Sequence, residues 1–124
     1  MSVTLAKSAG FCFGVSRAME TVEKQASMGK RVVTLGPIIH NRHVVDKFRS
    51  MGVEVVETPE EAPEGATVII RSHGVSRNIC QRLEKQGVEV VDATCPFVKR
   101  IHGIVSSAAS SACFKGATAR WESL

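Results

Sequence analysis

Tyrosine is absent from this 124-residue chain, and aromatic residues make up only 5% of it. Platforms on which single-stranded bases could stack are therefore scarce. Basic runs are missing too. The formal charge is +4, yet no stretch is longer than Lys30-Arg31 or Lys99-Arg100, so nucleic acid is not the expected partner. No apolar run approaches the roughly 18 residues of a membrane span. Residues 1–15, interrupted by Gly10 and Gly14, lack the basic and apolar segments of a secretion signal. A cytoplasmic location is the expectation, and in that reducing compartment cysteines are thiols or metal ligands. They stand at Cys12, Cys80, Cys95 and Cys113, never as a CxxC pair, which argues against a zinc ribbon or a thioredoxin-type motif. The P-loop pattern, the third glycine of a dinucleotide fingerprint, the HExxH motif and a Ser-His-Asp order are also lacking.

What remains is an ordinary globular composition, 44% hydrophobic and 23% charged, in a length that suits one domain. The basic balance favours a small anionic partner such as a phosphorylated metabolite. Short β-branched runs alternate with longer helical patterns, which predicts an α/β fold with a parallel sheet flanked by helices. Strands are expected over 2–6, 31–35, 53–56, 67–71 and 88–91. A helix from Val15 presents Val15, Ala18, Met19, Val22 and Ala26 on one face, and Gly29 stops it. Asn41 caps a second helix burying Val44, Val45, Phe48 and Met51, and Ser76 caps a third burying Ile79, Cys80 and Leu83. Pro96 opens a fourth, with Phe97, Val98, Ile101, Val105, Ala108 and Ala112 turned inward. The segment Gly52-Val53-Glu54-Val55-Val56 recurs as Gly87-Val88-Glu89-Val90-Val91, marking repeated αβ units. The weak point is the crossover between the third and fourth strands, shorter than the dozen residues a parallel pair usually needs.

Ligands of parallel sheets bind where the strands' carboxyl ends meet. Cys12 follows the first expected strand, His40 the second, His73 the fourth and Cys95 the fifth, each just before a helix. A thiolate so placed is stabilised by free N–H groups and the helix dipole. Glycines around Cys12 admit a bulky inorganic group, and a Cys-Pro step accompanies iron–sulfur ligation. Two imidazoles near helix N-termini suit a diphosphate, above all when protonated. Cys80, on an apolar helix face, has the place of a small buried hydrophobe, and Cys113 falls in a poorly patterned tail. His43 and His102 are expected at the surface, and Glu60, Glu61 and Glu64 in a solvated loop.

Ala9-Gly10-Phe11-Cys12-Phe13-Gly14-Val15, Gly36-Pro37-Ile38-Ile39-His40-Asn41, Ser72-His73-Gly74-Val75-Ser76 and Asp92-Ala93-Thr94-Cys95-Pro96 occur in that order. Together they resemble the N-terminal part of the 4-hydroxy-3-methylbut-2-enyl diphosphate reductase (IspH/LytB) family. The resemblance implies an iron–sulfur oxidoreductase of the methylerythritol phosphate route. It would make isopentenyl and dimethylallyl diphosphate by reductive removal of an allylic hydroxyl. It implies a [4Fe–4S] cluster held by three cysteines, of which Cys12 and Cys95 match two, and a diphosphate gripped by His40 and His73. Reduced ferredoxin or flavodoxin would donate the electrons. It also implies the first lobe of a three-lobed trefoil, here residues 1–102, including the start of the second lobe, followed by a divergent tail over 103–124.

The family's His-Pro-Glu proton relay, third cysteine and Ser/Asn diphosphate group do not occur, so no catalytic residue is expected in this chain. The resemblance thus implies a truncated or frame-shifted member, inactive alone, with apolar surface uncovered near its first strand. Two other readings stand beside it: a non-catalytic module binding metal or a cluster, and a metal-free, diphosphate-binding α/β domain.

Overall fold

The computed structural model describes residues 1–7 and 9–109. Its elements are α1 (Phe13–Ser27), β1 (Val32–Leu35), α2 (Arg42–Ser50), β2 (Glu54–Val56), a 3-10 turn (Pro59–Glu61), β3 (Thr67–Ile70), α3 (Arg77–Gln86), β4 (Glu89–Asp92) and α4 (Pro96–Ala109). The four strands form one parallel sheet in the order β2-β1-β3-β4. The expected α/β class is observed, with strand boundaries displaced by one residue.

Alternation along the strands sends successive side chains to opposite faces. Val32 and Ile69 pack with Ala18 and Val22 of α1 and with Val44 and Phe48 of α2. Val33, Leu35, Val68 and Ile70 turn the other way, onto Leu83 of α3, with Ala62 and Ala66 alongside. The sheet is therefore covered on both sides, as a parallel sheet requires.

The caps form as the sequence predicts. The Asn41 side chain accepts hydrogen bonds from the N–H groups of His43 and Val44, and the Ser76 hydroxyl accepts from that of Ile79. Gly52 and Gly87, the two glycines of the repeated segment, each link a helix to the next strand. The short crossover also has its explanation. β2 and β3 are not neighbours, because β1 lies between them. Their connection needs no helix of its own: Ala62 and Ala66 pack against the α3 side of the sheet.

Two expectations fail. Residues 2–6 form no strand. Val3 and Leu5 are 93% and 82% exposed, and an extended segment without a hydrogen-bonded neighbour cannot satisfy its backbone as a strand. The inward face predicted for α4 is also not inward. Phe97, Ile101 and Val105 are exposed, Phe97 by 67%, while Val98 and Ala108 are half-buried. Ala112 lies outside the described residues. The apolar period of α4 is real, but neither core cluster reaches it. Met51, expected inside α2, is also exposed at that helix's end.

Candidate functional site

Two helix N-termini meet at the carboxyl end of the sheet. Cys12 is the N-cap of α1, exposed, with no side-chain capping bond. Cys95 precedes Pro96 at the start of α4, and its N–H donates to the Ser72 carbonyl at 2.7 Å. Between them sits Gly14 in the first turn of α1. A Cβ placed on Gly14 would lie 2.6 Å from Cys95 Sγ and 2.8 Å from Cys95 Cβ, so only glycine allows this approach. Arg17, one turn further along α1, donates from Nη1 to the Thr94 carbonyl at 3.2 Å. The structure thus brings the Cys12 and Cys95 segments together from positions far apart in sequence.

Asp92 holds the Cys95 loop. One carboxylate oxygen accepts the Thr94 N–H at 2.9 Å, and the other lies 2.6 Å from Lys99 Nζ on α4. Burial pushes this carboxyl up, but Lys99 and Thr94 outweigh it and hold it below its ordinary value.

The histidines occupy the neighbouring stretch of the rim. His40 is exposed just before the α2 cap, and His73 is exposed two residues after Arg71. Partial burial of the His73 ring lowers its pKa, and the positive charges of Arg71 and His40 lower it further. Next to it, Gly74 adopts φ +76°, and a Cβ there would lie 3.1 Å from His102 Cε1 and 3.3 Å from Thr94 Cγ2. His102 is thus half-buried against the rim, not at the surface as predicted, because α4 crosses over Gly74. A shallow depression lined by Pro37, Ile39, His40, Arg42 and Arg49 takes in His40 but neither His73 nor either cysteine. The reactive groups stand on an open rim.

The remaining candidates separate cleanly. Cys80 is half-buried and packs against the Leu83 cluster; burial, then Asp92 and Glu84, push its thiol up, as befits an inert structural cysteine. Cys113 lies outside the described residues. His43 is exposed. Glu60 pairs with Arg82 and Glu61 accepts from the Glu57 N–H, so this acidic loop ties itself and α3 together. Sequence reasoning missed Arg17, Arg71 and the bracing by Asp92. For Asp92 a signal existed, since Asp-x-Thr suits a side chain bonding its own backbone two residues on.

Among the described residues, no group of three or more His, Cys, Asp or Glu is placed to hold a metal ion. Cys12 and Cys95 fit part of the donor set of an iron–sulfur cluster, and a cubane needs at least one more ligand.

Comparison with known proteins decides the ancestry. The LytB protein family model matches residues 3–115. The chain belongs to the LytB family. It is 50% identical over 109 residues to the 4-hydroxy-3-methylbut-2-enyl diphosphate reductase of Thermoanaerobacter sp. (strain X514), covering 85% of this chain and 38% of that protein. It is 51% identical over 100 residues to the same-named protein of Geobacter sp. (strain M21), covering 81% and 35%. Among solved structures, the E-1-hydroxy-2-methyl-but-2-enyl-4-diphosphate reductase from Plasmodium falciparum superposes with a TM-score of 0.78 at 35% identity, covering 83% of this chain and 33% of that one. A structure of (E)-4-hydroxy-3-methyl-but-2-enyl diphosphate reductase gives a TM-score of 0.70 at 46% identity, covering 82% and 36%. The LytB chain thus spans a little over a third of the length of the curated relatives it matches. No helix among its described residues is long and apolar enough to cross a membrane.

Proposed function

We propose that this chain is the first α/β lobe of a cytoplasmic reductase acting on 4-hydroxy-3-methylbut-2-enyl diphosphate. In that reaction two electrons and two protons replace the allylic hydroxyl, which leaves as water, and isopentenyl and dimethylallyl diphosphate result. A [4Fe–4S] cluster would supply the electrons, received from reduced ferredoxin or flavodoxin. In this reading Cys12 and Cys95 are two of its ligands, and His40 and His73 hold the diphosphate. Asp92 and Arg17 fix the loop that carries Cys95 and hold it against α1.

The observation that carries the reading is the close approach of Cys95 to Gly14, just past Cys12. A buried structural thiol needs no such access to a second cysteine-bearing helix end. A second reading, in which the chain binds iron and diphosphate without turning over, rests on there being two thiolates at this rim, fewer than a cubane needs. Both readings predict the same ligands.

Anaerobic reconstitution with iron and sulfide, followed by metal counting and the visible spectrum, tests them. Iron uptake is expected to fall sharply in Cys12→Ser and in Cys95→Ser and to persist in Cys80→Ser. Uptake indifferent to Cys12 and Cys95 would remove the metal site. Steady turnover by the reconstituted chain would remove the second reading.

A further inference from the structure

We propose that Arg71 is a diphosphate-binding residue of this rim, its guanidinium gripping the anion between His40 and His73. The inference rests on the diphosphate reading above and adds to it a residue that the sequence motifs do not single out.

Arg71 directly follows β3, whose last residue, Ile70, stands in register with Leu35 of β1. That register places Arg71 beside Gly36, the first residue past β1. A Cβ on Gly36 would lie 2.6 Å from Arg71 Nη1 and 3.3 Å from its Cζ. Gly36 also holds φ +72°, in the region open mainly to glycine. The guanidinium therefore lies close against the Gly36 backbone at the carboxyl end of the sheet, where ligands of parallel sheets bind.

It lies there unpaired. Arg71 Nε is buried and has no hydrogen-bond partner among the described residues. The other arginines among the described residues differ. Arg31, Arg42, Arg49 and Arg82 each face a carboxylate, Arg17 donates to a carbonyl, and Arg77 and Arg100 are exposed to water. A buried N–H without an acceptor is costly to keep, and an arriving anion would relieve that cost. The charged groups that act on neighbouring His73 are Arg71 itself and His40.

The chemistry fits a diphosphate better than a carboxylate. A guanidinium is always charged and offers donors in a planar fork that matches two phosphate oxygens. His40 and His73 then add N–H donors nearby, and two phosphoryl groups can engage all three.

Titration of the full chain with inorganic diphosphate at pH 8, followed by calorimetry, tests the proposal. Arg71→Gln is expected to weaken binding about tenfold or more, the usual scale of a lost charge-assisted hydrogen bond, with the thermal midpoint not lowered. Arg71→Lys keeps the charge and stem but loses the fork, and is expected to weaken binding several-fold. Should Arg71→Gln not fold, the lysine variant decides alone. Binding unchanged in Arg71→Lys and Arg71→Gln, but weakened in His40→Gln or His73→Gln, would overturn the role of Arg71 and leave the diphosphate reading standing. No binding by the unsubstituted chain would overturn both.

Discussion

At the amino ends of the strands the charged side chains satisfy one another. Lys30, just before β1, lies 2.7 Å from Glu89 at the start of β4, and the Thr67 hydroxyl at the start of β3 donates to the same carboxylate at 2.9 Å. Arg31 faces Glu54 at the start of β2. At the carboxyl ends, Arg71 Nε is buried without a partner among the described residues, Cys12 caps α1 without a side-chain bond, and His40 and His73 stand open. The same sheet thus has one end where Lys30, Arg31, Glu54 and Glu89 pair with one another and another where Arg71, His40 and His73 await a partner. Stability alone selects the first arrangement, because an unsatisfied buried donor costs free energy. The second persists where a ligand completes it. Asp92 is the exception that serves the rule: its bonds to Thr94 and Lys99 are spent on holding the Cys95 loop.

The contrast can be broken most severely at Gly14. Gly14→Ala forces a methyl against Cys95, and overpacking of this kind costs about 1–3 kcal/mol. Urea unfolding is expected to show that loss, accompanied by reduced iron uptake, since Cys95 must move. A variant as stable as the parent, with iron uptake intact, would mean the two segments are not in contact.

Asp92→Asn should act less strongly. It removes the ion pair with Lys99 and weakens the Thr94 bond, and the side chain is partly solvated, so a loss of about 0.5–1 kcal/mol is expected. The pH dependence has a definite sign. The folded carboxyl is held below its ordinary value of 3.8, so its contribution is full above that pH and is lost as the pH falls through the lowered value. Denaturation between pH 6 and pH 3 should show the variant converging on the parent at the acid end. A constant gap would assign the effect to packing.

The smallest effect is expected at the amino end. The Glu89 carboxyl is held down first by Lys30 and then by Thr67, but it is solvent-exposed, and exposed pairs contribute little. Glu89→Gln should leave iron uptake and diphosphate affinity unchanged. A loss of either would erase the distinction between the two ends.

Much of this fold is legible along the chain. The strands, the Asn41 and Ser76 caps and the glycine stops each rest on hydrogen bonds or apolar periods contained within a few residues. The four motifs likewise placed Cys12, His40, His73 and Cys95 at strand ends, where the structure has the last three; Cys12, expected after a strand over 2–6 that does not form, caps α1. Residues 2–6 and the inner face of α4 are not legible in this way, because a period shows only which face is apolar. It does not show whether anything covers that face.

The sequence by itself determined the helices, the four strands that form, the Asn41 and Ser76 caps and the family. Only the tertiary structure decided that Gly14 makes room for Cys95, that Gly36 makes room for Arg71 and that His102 lies against Gly74. The physical reason is one of range. Caps and periods arise between residues a turn apart, whereas these contacts join residues 28 to 81 positions apart in the sequence, and their meeting depends on the strand order β2-β1-β3-β4 and its register.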